Sequence, residues 1–497
     1  MTKKGELLLA IDQGTTGTTA LVVNRKLEVL ASHNVEFRQI YPKPGWVEHD
    51  LDDIWRSTLK AIKTVLKNLK SGGKNISAIG ITNQRETACF WSKKTGDPLC
   101  HAIVWQDRRT ADFCEKLKHE GHESLIGKKT GLLLDPYFSG SKISWALENI
   151  GVVGKAARAG DCAFGTIDAY LVHRLTGGKA HVTEPSNASR TLLYNIETLS
   201  WDEELLKLFG VPKDMLPEVI GSTQNFGVTR KVPGLADGIP IHGMLGDQQA
   251  ALLGQACVHE GMAKCTYGTG SFILMNTGSK IRRSAHRLLS TVAWKIGAKT
   301  TYALEGGAFT AGAAVQWLRD GVGLIKKSSD IETLARSVVS SDGVTFVPGF
   351  TGIGAPHWMP LARAAFFGIS RGTNKGHMAR AVLEGIAFMN YDILRAMEQD
   401  LGSRMRSLNV DGGACRNDLL MQFQADILDL KLLRPKMVET TALGAIFAAG
   451  LGIGMWKDFS DIEKAWKSDK TFHSSMPKAT RLQHIKAWNS AIEMLKH

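Results

Sequence analysis

Paired cysteines and metal-ligand spacings are missing from this chain of 497 residues. Its seven cysteines are scattered, and none lies in a CxxC pair. The fifteen histidines include no HExxH arrangement. These absences argue against a disulfide framework and against the common zinc sites. Scattered cysteines are typical of a reduced protein, so we expect a cytoplasmic location.

Long apolar runs are missing as well. The uncharged segment Thr440 to Trp456 contains four glycines and is short for a bilayer span. Only five apolar residues, Leu7 to Ile11, precede Asp12, so the start of the chain does not read as a secretory signal peptide. We therefore expect a packed helix and loop at Thr440 to Trp456 and no integral membrane segment.

Acidic residues are fewer than basic residues, 48 against 61, which gives a formal net charge of +13. Such an excess is compatible with nucleic acid, an anionic membrane or anionic small substrates. The densest basic stretch, Arg56 to Lys70, falls on a predicted helix whose other face is apolar, as in a core helix with a solvated back. Aromatic residues are not interleaved with arginines as they are in a base-stacking surface, so we expect no nucleic-acid partner.

The familiar nucleotide-binding and nucleophile motifs are absent too. The nearest approach to a P-loop, Gly121 to Lys129, has one residue too many and lacks the final hydroxyl. No GxGxxG follows a predicted strand, and the HRD and DFG elements of protein kinases are missing. Any nucleotide must therefore be bound by an architecture that is neither Walker nor Rossmann.

Residues Leu7 to Val23 are the most informative stretch that is present. Two apolar runs enclose a tip of glycine and threonine, which predicts a β-hairpin. Exposed N–H groups, hydroxyls and glycines in such a tip can wrap a phosphate. Asp12 at its mouth could hold Mg²⁺ through water. The alternative is an ordinary hairpin with a polar tip.

The same pattern recurs about 250 residues later. The run Met262 to Tyr267 leads into a tip, Gly268 to Ser271, and a second run, Phe272 to Met275, follows. Two hairpins of one design predict two domains, which the length of the chain also favours. We place the boundary at residue 254, with one domain at 1–254 and the other at 255–497.

Polar residues follow several predicted strands, as expected for sites in open α/β sheets. Asp247 follows the run that begins at Ile241 and could serve as a general base, or alternatively as the N-cap of the next helix. Arg85 and Glu86 pair a donor with an acceptor, as vicinal hydroxyls require, although adjacent charges are often a surface salt bridge. The glycines before Ala414 could admit a ligand or form a tight turn.

Blocks spread from about Leu7 to Trp456 resemble the FGGY carbohydrate kinase family. They read AIDQGTTGTTALV, YPKPGWVEHD, GITNQRET, IVWQDRR, TGLLLDPYFSGSK, FGTIDAYLV, SNASRTLLYN, GDQQAALLGQ, EGMAKCTYGTGSF, AGAAVQWLRD, FTGIGAPHW, VDGGACRNDLLMQFQADIL and TALGAIFAAG. Ala364 to Glu384 matches the second family signature. Tyr137 to Asn149 matches the first, except that Ala146 replaces a larger apolar residue. The resemblance implies an α/β fold of two ribonuclease H-like domains, as in actin and hexokinase, flanking a deep cleft.

Within that family the likeness is to members that act on glycerol. It implies ATP-dependent, in-line phosphorylation of glycerol to sn-glycerol 3-phosphate with Mg²⁺, with polyol in the first domain and nucleotide mainly in the second. The implied glycerol positions, with Asp247 as the general base, are Arg85, Glu86, Trp105, Tyr137, Asp247, Gln248 and Phe272. The implied nucleotide positions are Thr15, Thr16, Gly17, Thr269, Gly312, Gln316, Gly413 and Asn417. Asp12 falls at the metal position, and we expect a homo-oligomer, a dimer or tetramer.

Three segments depart from the family pattern. Many bacterial members carry a basic residue where this chain has Thr19. The loop Asn225 to Pro240 lacks the Gly/Arg pattern that binds fructose 1,6-bisphosphate, and His473 to Arg481 does not resemble the patch for a sugar-transport regulator. Neither form of control is therefore carried over from the family to this chain. Two alternatives stay open, namely an FGGY kinase for another polyol or a ketose, and an actin- or Hsp70-like ATPase.

Overall fold

The structure is a computed structural model that describes residues 7–69, 72–359, 361–437 and 439–496. Its strands are β1 (Leu7–Gln13), β2 (Gly17–Asn24), β3 (Val29–Glu36), β4 (Glu48–His49), β5 (Ile76–Asn83), β6 (Cys89–Ser92), β7 (Ala102–Ile103), β8 (Cys162–Gly165), β9 (Val182–Thr183), β10 (Tyr194–Asn195), β11 (Ser200–Trp201), β12 (Glu218–Val219), β13 (Asn225–Val228), β14 (Pro240–Gly246), β15 (Met262–Tyr267), β16 (Ser271–Gly278), β17 (Leu289–Ile296), β18 (Lys299–Ala308), β19 (Thr345–Val347), β20 (Ala365–Phe367), β21 (Ser407–Asp411), β22 (Leu432–Pro435) and β23 (Ser468–Phe472). Its helices are α1 (Leu51–Lys67), α2 (Ala111–His119), α3 (Glu123–Thr130), α4 (Ser139–Asn149), α5 (Gly151–Arg158), α6 (Ile167–Leu175), α7 (Pro185–Ala188), α8 (Glu203–Phe209), α9 (Asp247–Gly254), α10 (Gly312–Asp320), α11 (Asp330–Ala335), α12 (Lys375–Leu401), α13 (Asp418–Leu428), α14 (Thr440–Gly452), α15 (Phe459–Ala465) and α16 (Lys478–Met494). Short 3-10 helices lie at Gly72–Asn75, Lys213–Met215 and Gly413–Arg416.

The first large sheet has the strand order β13-β14-β5-β1-β2-β3. Strand β1 pairs antiparallel with β2 and parallel with β5, and β14 lies parallel to β5. Leu9 and Ile11 pack in the core with α1, whereas Leu8 and Ala10 pack in the core with α14. The run is apolar throughout because helices cover both faces of the strand.

The second large sheet repeats this plan, with the order β17-β18-β16-β15-β21-β22-β23. Strand β15 pairs antiparallel with β16 and parallel with β21, as β1 does with β2 and β5. Each sheet thus starts from an antiparallel hairpin that is extended on its other side by parallel strands. The structure confirms the expected α/β fold built from two sheets of one design.

Helix α14 returns from the second half of the chain to the first sheet. It packs against α9 and against β14, β5 and β1. The helices α9 and α14 approach very closely, since a Cβ added at Gly444 would lie 1.9 Å from the backbone oxygen of Ala250. The uncharged segment at Thr440 is therefore a buried helix, as expected. The domain boundary at residue 254 stays a prediction, because α14 follows that residue in the chain and yet packs on the first sheet.

Several predicted elements differ at their ends. The glycine and threonine pattern predicts a tip from Gly14 to Thr19, but the tip is shorter, because Thr18 and Thr19 continue the ladder opposite Gln13 and Asp12. The apolar run Leu27 to Ala31 predicts a strand that begins at Leu27, but β3 begins at Val29, because Leu27 adopts a left-handed φ of 62° in the preceding turn. Lys70, in the basic stretch, lies outside the described residues. Within the described ranges, no helix combines the length and apolar character that a membrane crossing requires.

Candidate active site

The two hairpin tips are tight turns closed by backbone hydrogen bonds. In the first, the N–H of Gly14 donates to the oxygen of Gly17 at 2.9 Å. In the second, the N–H of Gly268 donates to the oxygen of Gly270 at 2.8 Å. Among the predicted phosphate-binding residues, Thr16 and Thr269 are exposed, Thr15 is half-buried and Gly17 is buried. The tips therefore offer hydroxyl and backbone donors of the kind that surround a phosphate.

The second tip is joined to the start of α10. The N–H groups of Ala311 and Ala313 donate to the oxygen of Thr269 at 2.8 and 3.0 Å. A Cβ added at Gly312 would lie 2.7 Å from the oxygen of Gly268, so this contact requires glycine. Gln316 lies one turn further along α10 and is exposed. The structure thus brings Thr269, Gly312 and Gln316 together at a helix N-terminus, which favours anions.

The turn after β21 lies beside the second hairpin, because β21 pairs with β15. Gly412 has a φ of 88°, and a Cβ there would lie 2.5 Å from the oxygen of Tyr267. Among the described residues, no heavy atom beyond the adjoining chain lies within 4 Å of a Cβ added at Gly413, so this tight turn leaves room for a ligand. The side chain of Asn417 caps α13 by accepting from the N–H of Leu420 at 2.9 Å.

Asp247 and Arg85 meet at the carboxyl ends of two neighbouring parallel strands. Strand β14 precedes Asp247 and strand β5 precedes Arg85. The Nε of Arg85 lies 3.0 Å from Oδ1 of Asp247. A Cβ at Gly246 would lie 2.7 Å from Cδ of Arg85, so glycine is needed for this approach. The N-cap interpretation of Asp247 is wrong, because Gly246 occupies the cap and Asp247 is the first helical residue.

Arg85 and Glu86 belong to a buried ionic network. Each side chain is only 2% exposed, so the interpretation as a surface salt bridge is wrong. The guanidinium of Arg85 donates to both carboxylate oxygens of Glu305, at 2.6 and 3.0 Å. Arg190 donates to Oε1 of Glu86 at 2.6 Å and to Oε1 of Glu305 at 3.0 Å. Buried charges are retained only with partners of this quality.

The network joins the two halves of the chain, since Glu305 lies on β18 of the second sheet. Burial alone would raise the pKa of Glu305, but Arg190 and Arg85 outweigh burial and lower this pKa to about 2. Sequence reasoning missed Glu305 and Arg190. A carboxylate inside the buried run of β18 is the signal that could have indicated the first. Arg190 stands in a block that the family resemblance included, without an assigned role.

Aromatic side chains flank this network. The rings of Trp105 and Tyr137 meet edge to face with centroids 5.6 Å apart, and the guanidinium of Arg190 lies 5.6 Å from the centre of the Tyr137 ring. Gln248, next to Asp247, accepts a hydrogen bond from Lys264, whose Nζ also lies 3.4 Å from the oxygen of Phe272. The structure therefore groups Trp105 with Tyr137, and links Gln248 to Phe272 through a lysine that sequence reasoning missed.

Asp12 lies near the end of β1, where the charges of other carboxylates act on it. Burial raises the pKa of Asp12 to about 7, and the negative charges of Asp247 and Glu439 add to this effect. Glu439 directly precedes α14 and was not predicted. Among the residues that the structure describes, no group of three or more His, Cys, Asp and Glu side chains could hold a metal ion by itself. Any cation here must therefore take ligands from a substrate or water as well.

Two family profiles cover most of the chain. The profile "FGGY family of carbohydrate kinases, N-terminal domain" matches residues 7–254. The profile "FGGY family of carbohydrate kinases, C-terminal domain" matches residues 263–453.

Curated relatives match over nearly their whole length. A glycerol kinase of Bdellovibrio bacteriovorus is 53% identical over 487 residues, covering 98% of each chain. A glycerol kinase of Myxococcus xanthus is 53% identical over 492 residues, covering 99% of each chain.

Solved structures show the same architecture. Plasmodium falciparum glycerol kinase with ADP superposes with a TM-score of 0.94 at 39% identity, and the match covers 98% of each chain. A gluconate kinase from Lactobacillus acidophilus shares the fold, with a TM-score of 0.88 at 24% identity over 98% of this chain and 97% of the other. The chain therefore belongs to the FGGY family of carbohydrate kinases.

Proposed function

We propose that the protein transfers the γ-phosphoryl group of ATP to glycerol and so forms sn-glycerol 3-phosphate. The observation that carries this proposal is the contact between Asp247 and Arg85, which places a carboxylate beside a buried charged network. About half of all positions are identical to those of relatives named glycerol kinase, and this supports the choice of glycerol.

Asp247 has the surroundings of a general base. Burial raises its pKa, and the positive charges of Arg85 and Lys264 oppose that rise. Its side chain remains 30% exposed, so a hydroxyl can reach it. In the proposed step Asp247 takes the proton of a glycerol hydroxyl while the oxygen attacks the γ-phosphorus. The bond to the bridging oxygen breaks, ADP leaves, and in-line geometry is required throughout.

The polyol would be recognised by hydrogen bonds, because a triol has little apolar surface. The Nη1 of Arg190 is buried and has no hydrogen-bond partner in the described part of the chain. It lies near the predicted polyol residues Glu86 and Tyr137. A buried donor without a partner is costly, and a substrate hydroxyl would satisfy it. A ligand without hydroxyls would leave these groups unpaired and be rejected.

Asp12 fits a magnesium ion that takes most of its ligands from elsewhere. Burial raises the pKa of Asp12 and the negative charges of Asp247 and Glu439 add to the rise, so a bound cation would favour its charged form. Mg²⁺ binds with one or two carboxylates and takes its other ligands from water and substrate phosphates. Asp12 would hold the ion, which when bound neutralises charge on the transferring phosphoryl group.

The nucleotide would lie between the hairpin tips and the turn at Gly413. Thr15, Thr16 and Gly17 would bind phosphate from the first sheet, and Thr269 from the second. Gly312, Gln316, Gly413 and Asn417 would form the remainder of the nucleotide site. Support comes from the open space beside Gly413 and from the helix N-terminus at Gly312.

The test is ADP release measured on the purified protein with ATP, Mg²⁺ and a panel of glycerol, erythritol and xylulose. We expect glycerol to be turned over fastest, and faster turnover of another polyol or a ketose would replace glycerol in this proposal. Asp247→Asn should reduce glycerol-dependent turnover by about a hundredfold or more while ATP still binds. Retained turnover would falsify the role of Asp247. Cytoplasmic location and assembly into a dimer or tetramer stay predictions, the second testable by sedimentation.

A further inference from the structure

Lys264 is a buried cation that the reaction described above does not use. It lies in the middle of β15 and is 0% exposed. Lysine is almost never fully buried unless it is paired, because the charged amine loses its hydration. Burial lowers the pKa of Lys264, whereas Asp411 and Asp247 favour its charged form. A residue held at this cost requires an explanation in terms of its contacts.

The contacts of Lys264 lead to the proposed active site. Its Nζ donates to Oε1 of Gln248, to Oγ1 of Thr266 at 2.9 Å and to the backbone oxygen of Phe272 at 3.4 Å. A protonated amine has three donors and no acceptor, so these contacts occupy its full capacity. Gln248 is also bound to the base, because its backbone N–H donates to Oδ1 of Asp247 at 2.6 Å.

The pairing settles which end of the Gln248 amide is free. Because Lys264 can only donate, the amide must turn its oxygen toward the lysine. The NH₂ group of Gln248 is then the end left for a substrate. With the opposite orientation, the amide oxygen would compete with Asp247 for the proton of a substrate hydroxyl.

We propose that Lys264 is a positioning residue that makes Gln248 a hydrogen-bond donor toward the polyol. A hydroxyl that accepts from Gln248 keeps its own proton free for the carboxylate of Asp247. This inference rests on the proposed function and adds Lys264, a residue of the second sheet, which acts on the substrate through Gln248. Together, Lys264 and Gln248 would decide that this position donates a hydrogen bond to the polyol rather than accepting one.

A double-mutant cycle tests the coupling between the two residues. Lys264→Met should lower kcat or raise the KM for polyol by a combined factor of about ten or more, with the KM for ATP within about twofold. The same lysine substitution should have little further effect in a Gln248→Ala background. Independent, multiplying effects would overturn the proposal. Lys299→Met, at an exposed position on β18, is the matched control and should leave kinetics unchanged.

Gln248→Glu gives a second test that does not depend on burying a new side chain. A glutamate keeps the pairing with Lys264 but replaces the NH₂ donor with an acceptor. We expect normal folding by thermal unfolding and a loss of kcat/KM for polyol of about tenfold or more. Unchanged kcat/KM would overturn the proposal. All variants are assayed with whichever polyol the wild type phosphorylates, so a failure of glycerol itself counts against the proposed function only.

Discussion

The indole N–H of Trp105 donates a hydrogen bond of 2.9 Å to the side-chain hydroxyl of Thr15. Trp105 is one of the predicted polyol-binding residues, whereas Thr15 is one of the predicted phosphate-binding residues in the first hairpin tip. The backbone oxygen of Thr15 also accepts from the side chain of Gln39 at 3.0 Å. Since the Thr15 hydroxyl accepts from the indole, its own proton is free to be donated to a phosphate. One side chain therefore connects the two proposed substrate sites.

Trp105→Phe should raise the KM for ATP or lower kcat by more than the smaller size of phenylalanine alone would cause. The phenyl ring can keep the edge contact with Tyr137, but the hydrogen bond to Thr15 is lost. At about 1 kcal/mol for such a bond, we expect a rise in the KM for ATP, or a fall in kcat, of about fivefold. Steady-state kinetics with each substrate varied in turn measures the effect.

The matched control for that experiment is Trp201→Phe. It removes an indole hydrogen bond of 2.9 Å to the oxygen of Pro217, outside the proposed site. This control should change stability slightly and leave both KM values unaltered. If the two variants alter kinetics equally, the link between Trp105 and Thr15 has no role in binding phosphate.

Glu305→Gln should destabilise the fold as well as impair turnover. Glutamine has a single acceptor oxygen and no negative charge. The guanidinium groups of Arg85 and Arg190 would therefore lose one hydrogen-bond acceptor and the carboxylate charge that balances them. Breaking a buried ionic network of this kind costs about 3–5 kcal/mol. Urea unfolding should reveal a loss of that order, and glycerol KM should rise because Arg85 loses its orientation.

An exposed carboxylate provides the comparison for Glu305. Glu260 is 50% exposed and lies 3.3 Å from Arg282. Glu260→Gln should change the free energy of unfolding by less than about 1 kcal/mol. Equal losses in the two variants would mean that the buried network contributes no more than a surface pair.

The hairpins and the strand ends could be predicted because their signals are local. Apolar runs around glycine and threonine gave both hairpins, and Asp247 and Arg85 were found because they directly follow buried strands. The same local reading misplaced the end of the first tip, since the ladder between β1 and β2 continues further than the composition suggests.

Long-range pairings could not be predicted from the chain. Glu305 and Arg190 are 115 positions apart, and nothing in the sequence around either residue indicates the other. Helix α14 reads as a buried helix, but no local feature indicates that it packs on the first sheet rather than the second. These contacts depend on how the two sheets are placed, which the sequence pattern alone does not describe.

Thr19→Arg should lower the KM for ATP. Thr19 lies on β2 opposite Asp12, is half-buried, and accepts a hydrogen bond of 2.9 Å from Asn34. A guanidinium at this position would add a positive charge next to the phosphate tip, and we expect the KM to fall about threefold at low salt. Thr19→Gln adds a neutral side chain of similar reach and serves as the control. A KM that stays the same or rises in the arginine variant would refute the prediction.

The contribution of His49 to stability should fall as the pH falls from about 6.5 to about 4, because His49 is buried in its neutral form. The ring nitrogen Nε2 lies 2.8 Å from Oε1 of Gln39, and Nδ1 lies 3.3 Å from Nε2 of Gln84. Burial lowers the pKa of His49 to about 4. Between these pH values His49 takes up a proton in the unfolded chain but not in the folded chain. Proton binding therefore stabilises the unfolded state relative to the folded state.

His49→Gln tests this assignment, since glutamine does not titrate. Urea unfolding at pH 7, 6, 5 and 4.5 should show that the free energy of unfolding of the variant rises relative to that of the wild type as the pH falls. Other buried groups still contribute to the pH dependence of both proteins, because burial lowers the pKa of His181 to about 4 and raises the pKa of Glu184 to about 7. His119→Gln, at an exposed position, is the control and should keep the full slope. If the His49 variant keeps the wild-type slope as well, the neutral ring is not what links stability to pH, and the acid sensitivity must come from other buried groups.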